Sequence, residues 1–244
     1  MNRALAAGAA GMAAQQAVLD AVAANLSNLD TPGFRADRPE FAALVTPDGA
    51  ALASAAERTQ KLFVQGRLDS TNNEHDLAID GEGLFEVEAF GGRSAFTRAG
   101  NFTPDAAGHL RLGNGAVLAH VKLPPGTVSM SVDASGRVRA KVAGKQDAVE
   151  AGQIQLCAFA QNPGLRFGLD SLFHATPGAG ALYRGVPGTG GFGLIKQRFL
   201  ERSNVSVVGA MMAVLTAQRA YEANAKSVQA ADEMLRLANN LERG

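Results

Sequence analysis

Gly188-Thr189-Gly190-Gly191-Phe192-Gly193 fits G-x-G-x-x-G, the spacing that cradles a dinucleotide pyrophosphate. That chemistry needs a strand before the glycines and a helix opening from them, inside a βαβ unit. Val186-Pro187 is a poor strand end, one helical segment follows, and no second parallel strand remains. The four histidines, His75, His109, His120 and His174, are far apart, and none has a partner at i+3 or i+4 that makes a metal pair. Glu74-His75-Asp76 reads as a solvated turn. Asp80 and Glu82 are the nearest carboxylates that could act as an acid and a base on a glycan. They sit in a glycine turn without a supporting aromatic. The one cysteine, Cys157, lies in Gln153-Ile154-Gln155-Leu156-Cys157-Ala158-Phe159, which reads as a buried strand and an inert core thiol. No catalytic residue, cofactor site or metal site is expected.

The two ends of the chain are one kind of object and the middle another. Leu5, Met12, Leu19 and Leu26 recur every seven positions in an Ala-rich segment, where eleven of the first twenty-four residues are Ala, the best helix former. Val207, Met211, Val214, Tyr221, Ala225, Val228 and Leu235 recur at alternating spacings of four and three. The first helix is expected from about Asn2 to Asn28, ended by Thr31-Pro32-Gly33. Gly8 and Gly11 weaken it and also let another helix come close. The second is expected from Ser203 or Asn204, either of which can cap it, to about Leu241. Neither stripe can bury itself alone, so the helices should lie antiparallel and pack on copies of the chain. Gln218 and Asp232 interrupt the second stripe and are candidates for setting register. Arg219 and Glu222 form either a solvated i,i+3 pair or a register contact.

Residues 35–75 show no sustained period and read as an extended connector, with turn chemistry at Thr46-Pro47-Asp48-Gly49 and a short strand at Lys61-Leu62-Phe63-Val64. Residues 76–199 read as a β-rich domain of sandwich or barrel type. Its strands include Leu84–Val87, Ala95–Thr97, Leu110–Leu112, Val128–Val132 and Val138–Val142, and residues 161–193 read as ordered loop. The fold class is therefore α+β: an all-β central domain flanked by long terminal helices that form coiled coils. Residues 1–34 and 200–244 together make the helical domain.

Lys plus Arg (23) equals Asp plus Glu (23), so neither a nucleic-acid surface nor a polybasic membrane contact is expected. No run of eighteen apolar residues is present, and no membrane insertion is expected. Arg3, the Ala-rich run and Ala21-Val22-Ala23 imitate a signal peptide. Gln15, Gln16 and Asp20 break that run, so the segment should be kept rather than cleaved.

Three longer motifs then converge. Ala24-Asn25-Leu26-Ser27-Asn28-Leu29-Asp30-Thr31-Pro32-Gly33-Phe34 resembles the N-terminal signature of bacterial flagellar rod and hook axial proteins. Asp76 through Phe85, with Asp80, Gly81 and Gly83, resembles the entry to their β domain. Leu200-Glu201-Arg202-Ser203-Asn204-Val205, continuing through Arg219 to Lys226, resembles their C-terminal helix. Within the family the chain looks most like the distal rod members, from Asn162-Pro163-Gly164-Leu165, the Pro187-Gly188 loop and Ser203-Asn204-Val205-Ser206-Val207-Val208. The short connector and Thr31-Pro32-Gly33 look more like proximal rod subunits, which remain the alternative, with a cell-wall glycan hydrolase as a remote one.

The resemblance implies a structural subunit that polymerises helically with copies of itself and with other rod and hook proteins. It implies a rod crossing the periplasm, reached without a cleaved signal through the flagellar type III export apparatus, that passes torque to the hook. The expected subunit interface is Leu5, Met12, Leu19, Leu26, Val207, Met211, Val214, Gln218, Tyr221, Val228 and Leu235.

Overall fold

The computed structural model describes residues 2–45, 51–161, 164–168 and 171–241, which fall into two compact units. The expected turn at 46–49 lies outside the described residues, as does the Asn162-Pro163 pair.

The first unit comprises Met1–Leu29, Arg35–Leu62 and Val205–Gly244. Helix α1 spans Asn2–Ser27 and helix α2 spans Val207–Leu241. At 1.5 Å per residue these are about 39 and 53 Å long. Ser206, not Ser203 or Asn204, begins α2: its hydroxyl accepts the Gly209 amide at 3.2 Å and its carbonyl accepts the Ala210 amide at 2.8 Å. The helices run antiparallel, with Gly8 opposite Val228 and Gly11 opposite Asn224. A Cβ at Gly8 would stand 2.5 Å from the Val228 Cγ2. The close approach therefore depends on the residue that propensity alone counts as a defect.

Residues 35–75, read from the sequence as an extended connector, contain paired strands. Strand β1 (Asp37–Val45) pairs antiparallel with β2 (Ala51–Lys61), from Asp37 opposite Lys61 inward. This hairpin lies against α1. Its period is hidden by two register shifts, at Glu40/Phe41 and Leu44/Val45. The short strand expected at 61–64 does not form, and β3 (Leu68–Ser70) comes later.

The second unit comprises Asp30–Phe34 and Phe63–Asn204. Strands β4 (Leu77–Asp80), β5 (Leu84–Ala89) and β6 (Arg93–Thr97) follow β3. Then come β7 (Thr103–Pro104), β8 (His109–Arg111), β9 (Val117–Lys122), β10 (Thr127–Val132) and β11 (Arg137–Val142). The chain continues through β12 (Val149–Gln153), β13 (Leu156–Phe159), β14 (Leu165–Phe167), β15 (Phe173–Ala175) and β16 (Leu182–Gly185). It ends in β17 (Leu194–Gln197) and β18 (Phe199–Glu201).

The main path of the antiparallel sheet runs β10-β11-β12-β9-β5-β6-β15-β14, with β13–β16 branching from β5 and β7–β8 from β9. The returning chain pairs β17 with β4 and β18 with β3. Inward residues such as Leu77, Ile79, Phe85, Val87, Phe102, Leu118, Val138 and Leu156 form one core, and Phe96, Phe159, Leu165 and Phe173 form a second. The expected strand at 153–159 is divided in two by Ile154-Gln155, and residues 161–193 hold three short strands rather than loop alone.

Candidate functional site

Asn25 is the most committed residue of α1. It is buried, its amide donates to the Asp37 carbonyl at 2.8 Å, and its Oδ1 accepts the Asp37 amide. One side chain thus ties the end of α1 to the start of β1 as a strand neighbour would. Lys61 closes the same corner, 3.0 Å from the Asp37 carboxylate and 3.1 Å from the Arg35 carbonyl. Burial pulls the Lys61 ammonium below its usual range, against the Asp37 charge. Asn28 bonds back to the Ala24 carbonyl at 2.9 Å in the last turn.

In the second unit a buried ion pair gathers five chain segments. Arg98 Nη1 lies 3.1 Å from Glu201 Oε2, and both residues are buried. Arg98 Nη2 also donates to the Gly81 carbonyl at 2.7 Å. Glu201 accepts the Gly66 amide at 2.8 Å through its side chain and the Gly33 amide at 2.8 Å through its carbonyl. Gln65 reaches across, donating to Ile79 O at 3.0 Å and accepting the Gly81 amide at 3.1 Å.

Gly33 fits because its φ is +69° and a Cβ there would overlap the Arg98–Ala99 backbone. Phe34 packs edge-on to Phe167 with ring centroids 6.2 Å apart, and its carbonyl accepts the Asn204 amide at 3.4 Å. Asn204 donates to Val64 O at 2.9 Å, and Ser203 is buried beside it. Of the motif residues singled out in the sequence, Gly33, Phe34, Gly81, Ser203 and Asn204 meet at this junction, whereas Asn25, Asn28 and Arg219 lie in the first unit. Sequence reasoning quoted Glu201 within a motif without giving it a role, and missed Gln65 and Arg98, which hold the junction with it. The sequence signal of Gln65 is a polar residue standing among apolar and glycine neighbours, as in Phe63-Val64-Gln65-Gly66.

Most of the groups that could do acid–base or nucleophilic chemistry, Asp76, Asp80, Glu86 and Cys157 among them, are engaged. Asp80 pairs with Lys196 at 2.7 Å, and Glu82 is exposed. Glu86 is buried and takes a bidentate pair from Arg184 at 2.8 and 2.7 Å. These bonds hold the Glu86 carboxyl below its usual range despite desolvation. Burial first, and the facing Glu86 carboxylate second, push the Cys157 thiol up to about 12, so it stays protonated. Asp76, expected in a solvated turn, is buried and accepts from Thr71 at 2.8 Å and Asn73 at 2.9 Å. The glycine-rich 188–193 loop leads into strand β17, so it lacks the helix N-terminus that binds pyrophosphate. Among the described residues no cluster of three metal-ligating side chains occurs, and no helix is long and apolar enough to cross a membrane.

The helix stripes are only partly where the heptads put them. On α1 Gly8 and Gly11 face Val228 and Asn224 of α2, and Ala14, Ala21, Val22 and Asn25 are buried further along the helix. Leu5, Met12 and Leu19 flank this seam half-buried, and Leu26 is 45% exposed. On α2 the seam is Ala210, Val214, Ala217, Asn224, Val228, Ala231 and Leu235. Val207 is half-buried, whereas Met211, Gln218, Arg219 and Tyr221 are exposed. The glycines of α1 bring it close to Val228 and Asn224, so Val214, Val228 and Leu235 of the expected stripe are half-buried while Met211 and Tyr221 are not.

Matches to family models cover both helices and part of the β unit. Residues 5–35 match "Flagella basal body rod protein", and residues 78–140 match "Flagellar hook protein FlgE/F/G D1 domain". Residues 196–241 match "Flagellar basal body rod FlgEFG protein C-terminal". The chain is 36% identical to flagellar basal-body rod protein FlgG of Borreliella burgdorferi, over 100% of both chains. It is 35% identical to that of Agrobacterium fabrum, over 95% of this chain and 96% of the relative. It is 37% identical to flagellar hook protein FlgE of Rhizobium meliloti over 46% of this chain and 28% of the hook protein.

Proposed function

This chain belongs to the flagellar basal-body rod protein family and is a structural subunit of the rod; within that family we propose that it builds the distal rod, which passes torque to the hook. Its place is the flagellar basal body. The similarity to rod proteins over the full length, against under half the chain for a hook protein, supports the rod over the hook.

One observation carries the assembly reading. Val208, Met211, Met212 and Leu215 near the start of α2, and Met234 and Leu237 near its end, are exposed. A helix this long with apolar side chains in water at both ends presents unfinished interfaces. In the polymer, residues 1–34 and 200–244 form an inner coiled-coil tube, residues 76–199 an outer layer, and residues 35–75 the link between them. The stripe Leu5, Met12, Leu19 and Leu26 meets Val207, Met211, Val214, Tyr221, Val228 and Leu235 of neighbouring copies, with Gln218 setting register.

The subunit leaves the cytoplasm uncleaved through the flagellar type III export apparatus. It polymerises across the periplasm with its own copies and joins other rod and hook proteins. It performs no catalysis, in keeping with the names of its relatives and with the ion pairs that occupy Asp80 and Glu86. Thr31-Pro32-Gly33 favours a second reading, a proximal rod position.

Amide exchange of monomer and polymer tests the assembly reading. Residues 5–28 should exchange readily in the monomer and become protected in the polymer. Equal, strong protection in both would count against it.

A further inference from the structure

The β5–β6 hairpin ends in Ala89-Phe90-Gly91-Gly92-Arg93, closed by the Gly92 amide donating to the Ala89 carbonyl at 3.0 Å. Gly91 and Gly92 take φ of 87° and 72°, which a tight turn of this kind requires. The ring of Phe90 stands on that turn with 101% exposure, the most exposed large apolar side chain described. A phenylalanine has two side-chain torsions, so a short closed tether presents it at little entropic cost on binding.

The other end of the same hairpin borders a hole. Thr97, the last residue of β6, lines an apolar cavity of about 200 Å³ with Pro32, Phe34, Leu112, Phe167 and Phe173. None of the described side chains lining it is charged. The cavity is smaller than the ~300–1,000 Å³ of a small-molecule site, which suits one inserted side chain. Ala89 pairs with Arg93 and Phe85 with Thr97, so knob and hole are separated along the hairpin by four residue pairs. That is roughly 13 Å at ~3.3 Å per residue.

A knob and a hole at opposite ends of one rigid element cannot meet within a chain. Joined head to tail between copies, they generate an open series. One ring buries on the order of 150–250 Å², far below the ~1,200 Å² of a free-standing complex. The contact therefore suits neighbours already held together by other surfaces, and not a freely diffusing partner. We propose that Phe90 of each subunit enters the Thr97–Phe173 cavity of the next copy of this chain along the polymer. This rests on the rod reading above and adds the contact that fixes the axial step between β-rich units.

A cysteine pair tests it in assembled basal bodies. Gly113 lines the cavity, and a Cβ there meets no atom within 4 Å. Cys157 is buried and protonated, so it stays silent. Oxidised basal bodies carrying Phe90→Cys with Gly113→Cys should give a covalent ladder of this chain, and neither single variant should. Should the cysteine pair block assembly, a photoreactive benzoylphenylalanine at position 90 keeps the ring and should label the same chain. Assembled rods without a ladder or label, or with a link to a different protein, overturn the contact and leave the rod reading standing. For polymerisation of the full chain, Phe90→Ser should raise the critical concentration about tenfold or more. An unchanged value overturns the proposal. If the unmodified chain is absent from the rod, the rod reading falls and takes this contact with it.

Discussion

Replacing Arg98 with methionine removes the cation that anchors the junction while keeping a side chain of similar length. Arg98 and Glu201 are both buried, 3.1 Å apart, and Arg98 also serves the Gly81 carbonyl at 2.7 Å. The variant leaves a carboxylate inside the β-rich unit without its ion-pair partner, and a carbonyl without that donor. Breaking a buried pair from one side costs about 3–5 kcal/mol. For a unit of this size each kcal/mol shifts the midpoint by about 2–4 °C, so the β transition should fall by roughly 6–20 °C. Calorimetry and circular dichroism of the monomer measure it. The double variant Arg98→Met with Glu201→Gln should lose clearly less than the sum of the single losses, because each single change damages the same pair. A single-variant loss under about 1 kcal/mol, or additive losses, would refute the idea that this ion pair holds the motifs together.

Three further outcomes are expected. Asn25→Ala should cost about 1–3 kcal/mol by stripping two bonds from Asp37, and exchange at the Asp37 amide should quicken; an unchanged Asp37 exchange rate would contradict the clamp. Gly8→Val should destabilise the helix pair by about 1–3 kcal/mol through Val228, and Val228→Ala in the same chain should recover part of that loss. The Glu86 carboxyl is held below its ordinary 4.5, first by the Arg184 hydrogen bonds, so its folded value lies under its unfolded one. Its contribution is present above about pH 4.5 and is lost as the pH falls through the folded value. Acid titration of stability should therefore be shallower below that point for Glu86→Gln than for the parent chain.

Local chemistry carried much of the fold. The Ala-rich run, the Thr31-Pro32-Gly33 stop and the alternation of Val128–Val132 each say what their own segment does, and α1, its end and β10 follow from them. The β1–β2 hairpin was hidden because register shifts break the period that marks a strand. Strand β9 was hidden because His120, at φ 65°, interrupts its alternation. Ser206 took the helix cap from two equally suitable neighbours because Ser203 and Asn204 are held in the junction. The heptads identified both helices and put Val214, Val228 and Leu235 on the half-buried side of α2, together with Met211 and Tyr221, which are exposed. Gly8 and Gly11, which heptad counting ignores, bring α1 against Val228 and Asn224. The Arg98–Glu201 pair joins residues 103 positions apart in sequence, and no local pattern predicts such a meeting.

We propose the distal rod as the place of this chain. Electron microscopy of basal bodies isolated from cells lacking it, and from cells carrying a tagged copy, tests that claim most directly. A rod cut short without a hook is expected in the first case, and tag density on the outer half of the rod in the second. A full-length rod bearing a hook in the absence of this chain would contradict it.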